Sequence, residues 1–336
     1  MSGTVLDNID RQSGVIAESS GGIEVRSDDP SASVGTVWFN TTSSVLKVYR
    51  NVGAWSAGGD LGSNRIWITG AGTLAAGLAW GGTTTGAGAA KVSTSEIYDG
   101  TSWAADDSLV TAIYNGGGCG IQTAAISAGG TTLTNVTEVF DGTSWAVTGA
   151  LGASMAGNRC GGIQSSAIST GGYASGSYTA VTEEFNGSVW GSGGALSDDR
   201  ETTAVTGASV SACLCLGGED GGGRKTITES YNGSAWSSGG TLAVATNRLE
   251  ASGIVNAALS FGGQSASDFL TTAQTYNGSA WASGDTLTQK RGQHCGDGTS
   301  TATFCAGGGT STSSDTPTDN TEEFAEAVTA RTISNS

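Results

Sequence analysis

One order of large, small and polar positions recurs around six glycine pairs, which start at Gly81, Gly129, Gly171, Gly217, Gly262 and Gly307. The third residue before each pair is large: Leu78, Ile126, Ile168, Leu214, Leu259 and Phe304. The residue after it is small: Ala79, Ser127, Ser169, Cys215, Ser260 and Cys305. Alternation at period two sends the large side chain to one face of a strand and the small ones to the other. With both faces covered, large residues of one sheet meet small ones of the next, which predicts sheets packed face to face. Beyond each pair comes acid-x-aromatic, as Glu96/Tyr98, Glu138/Phe140, Glu183/Phe185, Glu229/Tyr231, Gln274/Tyr276 and Glu322/Phe324. In five copies Asp-Gly or Asn-Gly follows the aromatic residue, predicting a tight hairpin of type I′ with positive φ at both central positions.

Tryptophans follow these turns at Trp103, Trp145, Trp190, Trp236 and Trp281, and Trp55 stands ahead of the first glycine pair. From tryptophan to the next glycine pair the distance is 26 residues in five copies and 27 in one. A period of 42 to 48 residues, with four strands per repeat, predicts an all-β propeller of six four-stranded blades. The last repeat has a glycine pair and Phe324 but no tryptophan after them. A strand at Trp55 completing the blade that begins near Arg291 closes the ring. A partial seventh blade is the alternative, because Val45–Tyr49 also resembles a third strand and competes with Phe324 for that place.

The repeat occupies one domain, residues 36–336, behind a polar arm, residues 1–35, that reads as an attachment segment. Gly35–Asn40 and Val45–Tyr49, joined by a Thr/Ser turn, predict a β-hairpin. The 56 glycines and two prolines agree with an all-β chain. A net charge of −16 argues against binding to nucleic acid or anionic lipid. No basic segment followed by an apolar run marks a signal peptide, and no stretch predicts membrane insertion. The six cysteines fall in predicted strands and read as small buried thiols.

Little of this pattern points to catalysis or a cofactor. His294 is the sole histidine, and Cys213-x-Cys215 lacks two further ligands for zinc, so no metal is expected. Asp106-Asp107 and Asp198-Asp199 read as solvated loop acids rather than a glycosidase pair, and no calcium-loop motif is present. Arg65, Arg159, Arg200, Arg248 and Arg291 are each placed at the opening of a first strand. Held by the third-strand carboxylates Glu96, Glu138, Glu183, Glu229 and Glu322 of their own or a neighbouring blade, they are expected to form a ring of bidentate braces, interrupted near Tyr114-Asn115, where the arginine is missing, and at Gln274, where the acid is.

The glycine pair, the third-strand aromatic and the tryptophan resemble the kelch-type propeller. The phrases Thr-Glu-x-Tyr-Asp/Asn-Gly-x-x-Trp and Ala-Ala-Ile-Ser-x-Gly-Gly are similar to kelch-like repeats of structural proteins of tailed bacteriophages. The Gly35–Tyr49 segment resembles a hairpin of phage tail-fibre and adhesin proteins. The resemblance implies a virion structural protein, docked to other virion proteins through the arm and compatible with a homo-oligomer; with no catalytic constellation among the residues above, an enzyme is not expected. As a tail-fibre component it would contact host-surface glycan or protein. A head-decoration, neck or baseplate protein that binds only virion proteins is the alternative. Between glycine pair and third-strand acid or amide the loops run 13, 7, 10, 10, 10 and 13 residues over a constant framework. Their candidate ligand residues are Tyr173, Tyr178, Glu219, Asp220, Arg224, Lys225, Asp268 and Phe269.

Overall fold

The computed structural model describes residues 23–86, 90–131, 134–312 and 315–333. Most of the expected arm, residues 1–22, lies outside them. The chain divides into two compact units, Met1–Gly53 with Glu326–Ser336, and Ala54–Ala325. Among the described residues every regular element is a strand, and no helix is long and apolar enough to cross a membrane.

In the smaller unit Glu24–Arg26 runs parallel to Val37–Asn40, which pairs antiparallel with the start of the strand Val45–Ala57. Trp38 is fully buried and lies 4.6 Å from the Tyr49 ring. The Tyr49 hydroxyl donates to Pro30 O at 2.6 Å, so this aromatic pair ties the hairpin to the segment before it.

The larger unit repeats one four-stranded antiparallel meander. Sheet 1 is Thr69–Thr73, Ala76–Trp80, Ser95–Tyr98 and Trp103–Asp106. Sheets 2 to 5 start with Gly117–Ile121, Arg159–Ile163, Ala204–Ser209 and Glu250–Ile254. The sixth consists of Cys295–Thr299, Ala302–Ala306, residues 321–325 of Thr321–Thr332 and residues 54–57 of Val45–Ala57. Trp55 lies 5.3 Å from Phe324, matching Tyr98–Trp103 and Tyr276–Trp281 in their own sheets. Each first strand lies against those of the sheets before and after it, and Cys295–Thr299 lies against Thr69–Thr73.

The hairpins between third and fourth strands differ from the expected two-residue turn. Tyr98 pairs with Trp103, leaving four loop residues, and only the glycine, Gly100 at φ 87°, is left-handed. Asp99 instead accepts from the amides of Thr101 and Ser102 through its side chain, at 2.9 and 2.8 Å. Asn232 does the same for Ser234 and Ala235. Asp and Asn occur here because a short side-chain oxygen can close an Asx turn.

The glycine pairs acquire a definite role. The second glycine donates its N–H to a carbonyl of the following sheet: Gly82 to Ile113, Gly130 to Met155, Gly172 to Arg200, Gly218 to Thr246, and Gly263 to Arg291. Gly308 donates to Arg65 in sheet 1 at 2.8 Å. The first glycine of each pair also has positive φ, and a Cβ on Gly171 or Gly217 would fall 2.5 or 2.4 Å from that carbonyl oxygen. Only glycine permits both the conformation and the approach.

A second set of bonds links residues just ahead of the first strands. Asn115 N donates to Trp67 O (3.1 Å), Gly157 to Asn115 (2.8 Å), Thr202 to Gly157 (2.8 Å), and Arg248 to Thr202 (2.8 Å). Gln293 donates to Arg248 (3.0 Å) and Trp67 to Gln293 (2.8 Å), returning to the starting residue. All six are left-handed, with φ between 51° and 70°. Five are not glycine, and each of those bears roughly 1–2 kcal/mol of conformational cost, which this interlocked set of bonds offsets.

Candidate functional site

Loops between second and third strands lie beside the connections leading into first strands. Isolated bridges join them at Ile66–Thr83, Ala156–Tyr173, Glu201–Glu219, Asn247–Gln264 and Gly292–Gly309. Tyr173 and Tyr178 face each other across a short ladder, with an edge-to-face ring contact at 5.5 Å. Glu219–Asp220 pairs with Gly223–Arg224 in the next loop. There Lys225 bridges Asp198 at 2.9 Å and Asp220 at 2.6 Å, while Arg224 Nε donates to Asn247 Oδ1 at 2.9 Å. Asp268 is paired with Lys290. Phe269 departs from its expected role as a ligand contact. It is 3% exposed, and a Cβ on Gly292 would lie 2.7 Å from its ring, so it packs beneath its loop.

The arginines expected as one ring occupy three positions. Arg65, Arg200 and Arg291 each lie four residues before a first strand and are fully buried. They bind the third-strand carboxylate of their own sheet: Glu96 at 2.5 Å, Glu229 at 2.5 Å and Glu322 at 2.7 Å. Arg159 instead begins a first strand, and Arg248 belongs to the left-handed set. Glu138 and Glu183 have no arginine. Glu138 accepts from the amides of Val110 and Thr111, and Glu183 from Gly152 N at 2.8 Å. The tryptophans tie sheets together: Trp145 Nε1 donates to Ser95 Oγ, Trp190 to Thr137, Trp236 to Thr182, Trp281 to Thr228 and Trp103 to Thr321, at 2.9–3.0 Å. At Trp55 the corresponding hydroxyl position is Ala273, and the indole donates to Asp285 O instead, at 2.9 Å.

The first strands surround a cavity of about 210 Å³ with walls largely of glycine backbone. Three charged side chains line it: Arg159, Glu250 and Asp297. Arg159 Nη1 donates to Asn115 Oδ1 at 3.2 Å and Asn158 O at 2.9 Å. Its Nε stands 4.0 Å from Glu250 Oε1, beyond hydrogen-bond length. Burial, reinforced by Asp297 and opposed by Arg159, pushes the Glu250 carboxyl up to about 8. Burial raises Asp297 to about 7 against the amides of Gly298 and Gly72, which donate to it at 2.7 and 2.9 Å. Above this layer the Arg248 guanidinium lies 4.7 Å over the Trp67 ring, a cation–π geometry.

Sequence reasoning missed Glu250, Asp297 and Trp67. Glu250 aligns with Thr69, Gly117, Arg159, Ala204 and Cys295, so the acid and the arginine are the two departures from an otherwise small-residue column. His294 and the six cysteines are buried, and the cysteines are free. Burial, then the nearby Arg291, holds His294 down at about 3, so it is neutral near pH 7. Among the described residues no group of three or more His, Cys, Asp or Glu is arranged to hold a metal ion. No protein-family model matches the chain, and no curated protein matches it significantly.

Proposed function

We infer that residues 54–325 form a closed, six-bladed, kelch-like propeller that serves a tailed-bacteriophage virion as a non-catalytic, receptor-binding structural protein. Closure is supported by the two sets of inter-sheet hydrogen bonds, each of which includes a bond from the sixth sheet to the first. The function rests chiefly on the resemblance of the repeats. The physical observation that favours a binding role is the contrast between loops and framework. Hairpins of different chemistry, such as Tyr173–Tyr178 and Glu219–Arg224, rise from a base held by repeated backbone bonds. A rigid scaffold carrying variable loops presents side chains at little entropic cost. Residues 1–35 then attach the protein to the particle.

One observation favours the alternative of a structural protein that binds only virion components. Lys225, Asp220, Asp268 and Lys290 already satisfy one another, and Phe269 is buried, which leaves fewer loop groups for an external ligand. Fluorescently labelled full-length protein added to host bacteria separates the readings. Saturable binding, competed by host-surface polysaccharide and reduced by Tyr178→Ala, is expected for the receptor-binding protein. No binding by protein that still incorporates into particles supports the structural role.

A further inference from the structure

The central cavity is lined by three charged side chains, Arg159, Glu250 and Asp297. Arg159 and Glu250 begin first strands of sheets separated by one other, and the intervening strand carries Ala204 at the same position. The small residue leaves Arg159 and Glu250 facing each other at 4.0 Å without a hydrogen bond. Among the described residues the Glu250 carboxylate accepts no hydrogen bond, and Arg159 Nε donates none. Two residues along the neighbouring first strand, Asp297 adds a second carboxylate. Arg159 and Glu250 form an ion pair with no hydrogen bond between them, 11% and 18% exposed, so their unbonded edges are open to a small ligand of matching charge.

We propose that this cavity binds a small zwitterion of the α-amino-acid class, its carboxylate on Arg159 and its ammonium on Glu250 and Asp297. A metal cation fits less well, since Arg159 repels it from Glu250. A simple anion meets two carboxylates. A zwitterion satisfies both signs at once, and its charge separation matches a guanidinium and a carboxylate that nearly touch. The size agrees: 210 Å³ is room for about seven waters, and alanine has six non-hydrogen atoms. Ile163 and Ile254 end two of the lining strands, each 44% exposed, and offer apolar contact to an aliphatic side chain. Burial raises the proton affinity of both carboxylates, and an ammonium group placed on them would oppose that rise.

Thermal unfolding of the full chain in 10 mM alanine tests this. The expected result is a rise of about 2–4 °C in Tm, absent with equimolar acetate plus methylammonium. Glu250→Gln and Arg159→Met should each abolish the rise while leaving loop-face binding to cells unchanged. Saturation-transfer NMR of alanine on the wild-type protein provides a readout that does not depend on the variants folding. The proposal is overturned if alanine neither shifts Tm nor shows transfer, if the variants keep the response, or if calcium chloride alone reproduces it.

Discussion

Sheets 1, 4 and 6 and sheets 2, 3 and 5 share one backbone plan but brace it differently. In the first group a buried arginine holds the third-strand acid through Nη2, and in sheets 1 and 6 its Nη1 also donates to the first glycine of the pair, Arg65 to Gly81 O and Arg291 to Gly307 O. In the second group Ile113, Met155 and Thr246 occupy the arginine's position, four residues before the first strand. Yet the third-strand acid or amide does one job in all six. It accepts backbone N–H groups of the connection entering its sheet, as Glu96 does for Gly62, Glu229 for Ser197 and Gln274 for Ala243. The capping acceptor is therefore the repeated device, and the arginine an addition to it. A buried ion pair adds little over an apolar substitute but becomes indispensable once half of it is present.

The largest effect should come from breaking one brace. Arg291→Ala leaves Glu322 charged, 3% exposed and without its cation, and should cost about 3–5 kcal/mol in urea unfolding. Thr246→Ala at the equivalent position should cost only about 1 kcal/mol. The double change Arg291→Met with Glu322→Gln copies features of the arginine-free sheets and should recover at least half of the loss. Failure to recover would mean that the arginine, not the acceptor, carries the architecture.

A smaller effect should appear with pH. Burial raises the pKa of Glu183, which has no arginine, with the amide of Gly152 acting in opposition. Its folded state therefore holds the proton more tightly than the unfolded state, so its contribution is most favourable below the unfolded pKa. That contribution is lost as pH rises from there through the raised folded value. Glu183→Gln, which matches Gln274 in sheet 5, should flatten stability over that window and be neutral or stabilising by up to about 1 kcal/mol at pH 7. Unchanged pH dependence would remove the distinction between braced and unbraced acids. The smallest effect belongs to the tryptophan links: Trp281→Phe should lose about 1 kcal/mol, and a double-mutant cycle with Thr228→Val should show coupling. Trp55→Phe should show none with Ala273→Ser, because the Trp55 indole already donates to Asp285 O.

The repeat was legible because strand alternation, glycine pairs and tryptophans are set by local pattern, and each copy restates it. The turn type was not. Asn-Gly admits both a type I′ turn and an Asx loop, and the difference lies in where one side-chain oxygen points. The arginines misled for a related reason. Proximity to a first strand groups Arg159 and Arg248 with Arg65, Arg200 and Arg291, although standing zero, two or four residues ahead of that strand sends them to the cavity, the left-handed set and the brace respectively. Phe269 was read as a loop contact because sequence places it in a loop, whereas the glycines at 292 and 309 that admit its ring lie on other segments.

Closure of the six sheets is most directly tested by native-state hydrogen exchange at Trp67, Asn115, Gly157, Thr202, Arg248 and Gln293. In a closed ring no amide is terminal, and all six should exchange with one opening free energy equal to that of global unfolding. Faster exchange at Trp67, whose amide spans the junction between the sixth sheet and the first, with the other five protected, would contradict closure.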